Sequence, residues 1–474
     1  MPWREALRPV RMRRIAVVAA PGRLRDALVA VAEAGCVEFD HDGAGQQPPA
    51  APAGSGPTAA DLLRGLDTGA TAPALAPTAP DLSELLRAGD ADLLAGEAQL
   101  DEHARAAVRR AGVSALAGWC PDQDFDALSQ RLAASGAALV PLRNPRGIDP
   151  PTLLRDVKPL HRAASPLLRT YGTVPYADVD PTVAAGLAYV AMFGIMFGDV
   201  GHGLLLVAGA LLIRFGRIPW LAKLRGLWLF IAGAGLAAAA GGLLYGEFFG
   251  PTGVVPALWL KPLDAPTRML AGAIGIGGLL LAAAYLLGIV NRWREGGPGL
   301  AVYASSGVAG AVLFAGLAVI GLGTVRHVHA AVATGVAVAV VGLCAVAVGF
   351  YAASGGGGAG VAQTGVELFD TVVRIGSNVV SFSRLAAFGL AHAALGAVIW
   401  DATTTAARHG AALLPVAVLV FVLGNALAFT LEALVAGVQA LRLEFYELFS
   451  RVFDLQGRPF RPWKLPVRSP EVPS

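Results

Sequence analysis

The 474-residue sequence is 55% hydrophobic and only 15% charged, with a mean hydropathy of +0.58. That is too apolar for an ordinary soluble protein of this size and indicates a polytopic membrane protein. The net charge of +3 says little about partners, and no nucleic-acid partner is expected.

Most acidic and basic residues fall before about residue 180, which divides the chain into a charged N-terminal part and an apolar remainder. The opening "MPWREALRPVRMRR" is basic, and the apolar piece after it, "IAVVAAP", is too brief for the core of a secretory signal, so the N-terminal part is expected in the cytoplasm. Residues 14–40 read as a strand, an amphipathic helix over Leu24–Ala34 and a second strand. A similar unit recurs in "VSALAGWCPDQDFDALSQRLAASGAALVPLR", with a helix over Phe125–Ala134 and a strand after Gly136. Together they predict a small α+β domain within residues 1–180. Between them lie a Pro/Ala/Gly linker at about 45–80, expected to be mobile, and a helical arm from Asp81 to Ala111 with a cap-like "DLSE" at its start. Cys36, Cys120 and Cys344 share no metal or redox spacing and read as small apolar residues.

From Pro181 the apolar runs are long enough to cross a bilayer, which takes about 20 helical residues. Eight are expected, at about 182–198, 199–215, 226–249, 269–291, 302–322, 328–352, 371–400 and 412–448. The fold class is therefore mostly α: a small cytoplasmic α+β domain, a polytopic helical membrane domain over 181–456, and a tail over 457–474. An even number of spans puts both termini in the cytoplasm, and the Arg/Lys-rich pieces "RFGRIPWLAKLR", "NRWRE" and "RPFRPWK" then lie inside. The last two spans exceed a bilayer core of about 30 Å and are expected to tilt strongly.

Those two spans also carry polar residues. A charge at mid-membrane costs on the order of 2.5–3.5 kcal/mol even on the generous insertion scale. At 100° per residue Asp370, Ser377 and Arg384 fall within about 40° of one another, with Ser381 close by; the same span also holds Asn378 and His392. In the last span Asn425, Glu432, Gln439 and Tyr446 recur every seven residues, with Arg442 on the flank. The two seams read as a lining for water or ions; the competing reading is an ion pair of Arg384 with Glu432 or Asp370 that only holds helices together. His392 is as readily a packing residue as a proton relay. "ASGGGGAG" lacks the Lys-Ser/Thr of a phosphate loop. "HVH" at His327–His329 has no third metal ligand nearby, so no metal site is assigned. Nothing resembles a nucleophile–base pair or paired catalytic carboxylates, and no catalytic site is expected on this chain.

Several motifs in order are similar to one family, the membrane-embedded stator subunit of vacuolar-type rotary ATPases (subunit a, or subunit I in prokaryotes). They are "MFGIMFGDVGHG", "LLYGEFFG", "SFSRLAAFGLAHAALG" and "LEALVAGVQALRLEFYELFSRVFDLQGRPFRPWK", with "MRRIAVVAAPGRLRDALVAVAEAGCVEFD" and "LAGWCP" upstream. The resemblance implies two offset half-channels facing a ring of proteolipid subunits with a mid-membrane carboxylate. Arg384 would meet that carboxylate and Arg442 would be the second arginine. Asp370, Glu432, His392, Ser377, Asn378 and Gln439 would line the access paths. Asp199, His202 and Glu247 are motif residues implied to pair at helix ends and subunit contacts. The implied cargo is H+, with Na+ possible, and no cofactor is implied on this chain. The implied partners are the ring, peripheral-stalk subunits, and the central-stalk or ring-cap subunit through the N-terminal domain, in a multi-pass protein of the cell membrane. A secondary ion-coupled transporter and a non-conducting stalk anchor are the alternatives. The sequence departs from the family where long coiled coils are expected, having only the linker and one helical arm. Asp370 stands where many relatives have glutamate.

Overall fold

The computed structural model describes residues 8–40, 58–66, 71–145, 148–155, 159–216, 219–452 and 457–468. It divides into two compact units: Arg8–Leu154 together with the stretch from Gly457, and the chain from Arg155 to Gln456.

The first unit is built on an antiparallel sheet. Its strands are β1 (Met12–Ala19), β2 (Glu38–Phe39), β3 (Val108–Arg110), β4 (Val113–Pro121) and β5 (Ala137–Pro141), in the order β2-β4-β1-β5 with β3 paired to β4. Helices α1 (Leu24–Ala34), α2 (Ala59–Arg64), α3 (Leu82–Ala88), α4 (Ala91–Ala106) and α5 (Phe125–Ala134) complete it. Alternation along β1 sends Ile15, Val17 and Ala19 to one face, where they meet Leu28 and Val31 of α1 and Leu128 and Leu132 of α5. Gly35 ends α1 in the left-handed region at φ 59, a conformation a side chain resists.

Two expectations are corrected here. The described part of the 45–80 linker is folded: α2 carries a Thr58–Asp61 capping box, and Ala74, Leu75 and Ala76 are buried. Its residues 45–57 and 67–70 lie outside the described residues. The stretch from Gly457 is no separate tail but part of this unit. Leu75 N–H donates to the Pro466 carbonyl (2.9 Å), Trp463 N–H to that of Val37 (2.8 Å), and Arg461 N–H to the Glu38 carboxylate (2.6 Å), while Leu465 joins the core. The compositional reading failed because proline and alanine pack as well as they link once backbone partners are supplied from far along the chain.

The second unit is helical: α6 (Pro159–Tyr171), α7 (Thr182–Met196), α8 (Val200–Arg214), α9 (Trp228–Tyr245), α10 (Pro266–Tyr303), α11 (Val308–Val325), α12 (His329–Ala353), α13 (Gly357–Ser381), α14 (Ser383–Arg408), α15 (Leu414–Leu443) and a last turn α16 (Ser450–Val452). Among the described residues six helical stretches are long and apolar enough to cross a membrane, with Gly357–Arg408 counted as one run. The expected count of eight is not confirmed: two of the expected spans are the shorter apolar helices α7 and α8. Helices α7 and α8 have 15 residues each, about 22 Å against a core of about 30 Å; α7 ends at a Phe197 C-cap and Asp199 caps the start of α8 two residues on. The outer faces of the long helices are apolar, as at Leu279, Val341, Val366 and Leu434.

Small residues set the closeness of α7, α8 and α9. A Cβ on Gly203 of α8 would lie 2.5 Å from the Ala239 nitrogen and 2.6 Å from the Gly235 oxygen, so α8 and α9 cross backbone to backbone. Ahead of α7, Asp180 accepts from Thr182 N–H (2.9 Å), and Val179 N–H donates to Asn291 (3.0 Å), whose amide donates to the Val452 carbonyl (3.2 Å). Neighbouring Asp178 is wholly buried; burial, reinforced by Glu295, pushes its carboxyl up to about 8.

Candidate functional site

The motif "FGDVGHG" makes a tight junction between α7 and α8. Asp199 is the N-cap of α8: one carboxylate oxygen accepts from His202 N–H (2.8 Å) and the other from Gly250 N–H (2.9 Å). Val200 N–H donates to the Glu247 carbonyl (3.0 Å), tying the junction to the end of α9. There Gly246, at φ 74, turns the chain in the left-handed region, and Glu247 follows it, buried. One turn of α8 beyond the cap, His202 is 2% exposed.

Helix α14 brings His392 to the same place. Its Nε2 lies 3.7 Å from Glu247 and its Nδ1 contacts Glu432 of α15. The ring of His202 is 5.7 Å from that of His392, and Phe197, Phe249 and Phe429 close around the two imidazoles with centroids 5.2–5.9 Å apart. Asp199, His202 and His392 each present a ligand atom within 4.8 Å of the others. A recess of about 190 Å³ lined by Met196, Phe388, Leu431 and Val435 reaches His392 and Glu432. Three carboxylates and two imidazoles in an apolar wall form a set between which a proton can pass.

About 12 Å along α14 from His392 lies Arg384. Its Nε donates to the Ser381 carbonyl (3.2 Å) and one Nη to Glu447 (3.0 Å), while the other Nη is buried without a partner. Arg384 touches neither Asp370 nor Glu432. Glu447 belongs to a π-helical segment, Glu444–Phe449, that follows α15. In such a segment the hydrogen bonds run i to i+5, so the facing position slips by one residue. The seven-residue seam thus reaches its end at buried Glu447, and Tyr446 is 71% exposed. Glu444, on the same segment, is wholly buried with both oxygens unpartnered.

The other seam residues are dispersed. Asp370 is exposed and pairs with Arg374 one turn on; Ser377 is exposed and Asn378 buried. Gln439 is half-buried with its Oε1 unpartnered, Arg442 is exposed, and Asn425 donates to the Phe421 carbonyl of its own helix (2.9 Å). Sequence reasoning missed Glu444 and Glu447. Two acids inside the apolar "LEFYELF" were the available signal, overridden by a heptad count that assumed an unbroken α-helix. Asp199 caps α8, His202 lies in its first turn and Glu247 follows the end of α9, and the three converge on His392.

Residues 105–228 match the sequence model of the V-type ATPase 116kDa subunit family. Over 389 residues the chain is 28% identical to A-type ATP synthase subunit I of Aeropyrum pernix, covering 71% of this chain and 53% of that one. It is 28% identical over 384 residues to the subunit I of Halobacterium salinarum, covering 66% and 52%, and 26% identical over 393 residues to that of Pyrococcus horikoshii, covering 78% and 57%. The chain spans about half the length of the curated relatives it matches.

Proposed function

We propose that this chain, which belongs to the V-type ATPase 116 kDa subunit family, is the membrane-embedded stator subunit of a rotary ATPase and carries ions past Arg384. The observation that carries the reading is Arg384 itself: a guanidinium within the membrane-length run Gly357–Arg408, held on one side by Glu447 and with a buried Nη unpartnered on the other. A guanidinium stays charged, so it can receive an ionised carboxylate from a neighbouring proteolipid subunit. Away from it that carboxylate travels neutral, because an unpaired charge in lipid is too costly. The same fixed charge repels a proton moving straight through.

In this reading the Glu247–His392–Glu432 group, with Asp199 and His202 behind it, is the access path on one side of Arg384. Asp370, Ser377, Asn378, Gln439 and Arg442 belong to surfaces that a ring would cover. The cargo is the proton, because imidazole and carboxylates line the path, and sodium selectivity would reside in the ring. ATP hydrolysis or synthesis belongs to other subunits, and the first unit is the contact for stalk subunits. Both termini are placed in the cytoplasm by the basic pieces near the span ends.

The test is Arg384→Ala in the reconstituted complex. ATP-driven proton uptake into vesicles is expected to vanish while the subunit still assembles. Uptake at the normal rate would end the reading. Dependence of uptake on sodium would replace the proton as cargo without touching the role of Arg384.

A further inference from the structure

We infer that Asp199, His202, His392 and Glu247 form a binding site for a divalent transition-metal ion of the zinc class. The inference rests on the reading above only where it concerns transport.

The donors are an N₂O₂ set from three elements: the capped start of α8, the end of α9 and α14. Asp199 Oδ1 and His202 Nδ1 are 3.8 Å apart, and His392 Nε2 and Glu247 Oε2 are 3.7 Å apart. Donor atoms of Asp199, His202 and His392 lie within 4.8 Å of one another, and all three residues are buried. Around a tetrahedral ion with bonds of about 2.0–2.1 Å, neighbouring ligand atoms stand roughly 3.3–3.5 Å apart. The two measured pairs need contract by only a few tenths of an ångström, and the remaining edges among Asp199, His202 and His392 close from within 4.8 Å.

Three further features point to a cation. Both ring nitrogens of His202, a residue 2% exposed, lack a hydrogen-bond partner, as does Glu247 Oε2. Buried polar atoms are ordinarily satisfied, and a metal would satisfy these. Glu432 engages His392 Nδ1, which leaves Nε2 as the nitrogen turned to Glu247, the carboxylate–histidine arrangement that orients an imidazole ligand. Lastly, among the described residues the cations paired with Asp199, Glu247 and Glu432 are imidazoles alone, so a divalent ion offsets charge that no arginine or lysine neutralises. Two imidazoles disfavour calcium and magnesium, which take oxygen ligands. A bound ion occupies His392 Nε2 and thereby stops proton passage through the cluster.

The experiment uses the full chain in lipid nanodiscs, stripped with a chelator and titrated with Co²⁺ and Zn²⁺. One ion per chain is expected, with the intense visible absorption of tetrahedral Co²⁺, and Zn²⁺ should displace it. His202→Gln should weaken binding at least tenfold. His202→Cys should retain it and add a sulfur-to-cobalt charge-transfer band, an outcome a packing role would not give. A His327→Gln/His329→Gln variant, which removes the exposed pair near α12, should bind as the parent does. Absence of saturable binding, or parent-like binding by His202→Gln, overturns the site. In the reconstituted complex, zinc should inhibit proton uptake, and His202→Gln, scored against its own zinc-free rate, should be at least tenfold less sensitive. If zinc binds with one ion per chain yet leaves uptake unchanged, the metal site stands and the placing of His392 on the ion path falls.

Discussion

The pairing of Arg384 with Glu447 depends on the π-helical turn, and a double-mutant cycle can measure it. The charges stand 3.0 Å apart, with the Arg384 side chain 27% exposed and that of Glu447 5% exposed. At an effective dielectric of about 20 the Coulomb attraction is about 5–6 kcal/mol. Desolvation of Glu447 removes much of it, so the net coupling should be about 1–3 kcal/mol. Arg384→Gln, Glu447→Gln and the double variant would be unfolded in mixed micelles by titrating a denaturing detergent. Glu447→Gln alone should cost more than the coupling, because it strands a half-buried guanidinium. Coupling below about 0.5 kcal/mol would refute the pairing. Replacing Tyr446 by Gln supplies the register control: if the helix were α throughout, that position and not 447 would face Arg384, and the coupling would move with it.

Two other outcomes follow from the geometry. Because burial raises the Asp178 carboxyl to about 8, the folded chain holds a proton there that the unfolded chain sheds near pH 4. Stability from this group is therefore full at low pH and falls by about 1.4 kcal/mol per pH unit until about pH 8. Asp178→Asn should match the parent near pH 4 and be several kcal/mol more stable at pH 8; parallel pH curves would contradict this. In the first unit, Leu465→Ala removes a side chain buried in the core and should cost about 2–3 kcal/mol. Amide exchange in β4 should quicken about thirtyfold or more, whereas a change under threefold would mean that this stretch is not part of the domain.

The helices of the first unit were legible because their apolar residues recur at helical spacing between clear stops: Leu24–Ala34 and Phe125–Ala134 are found where periodicity puts them. The arm expected over Asp81–Ala111 is instead two helices, split at Gly89 in the left-handed region (φ 68), and it ends where Val108 enters β3. What composition hid was partnership at long range. Leu75 looks like linker until Pro466 and Arg468 supply its hydrogen bonds from the other end of the chain. Arg384 was visible as an oddity in lipid, but its partner stands behind a turn whose irregularity leaves no mark in hydropathy. The motif around Asp199 announced a helix cap and hid the convergence, since the distance from Asp199 and His202 to His392 is a property of how α8 and α14 pack, not of either sequence alone.

Because residues from Gly457 onward belong to the first unit and Leu465 is part of its core, its folding is tied to the order of synthesis. The strands emerge from the ribosome first, yet Leu75, Val37 and Ala32 lack their backbone partners until about 300 further residues have been made, on the order of 15–60 s at usual elongation rates. During that interval the membrane helices are produced and the sheet waits with part of its core open to water and to proteases. Closure of this domain therefore waits on the helices in between: a chain cut within them leaves Leu75, Val37 and Ala32 without those backbone partners.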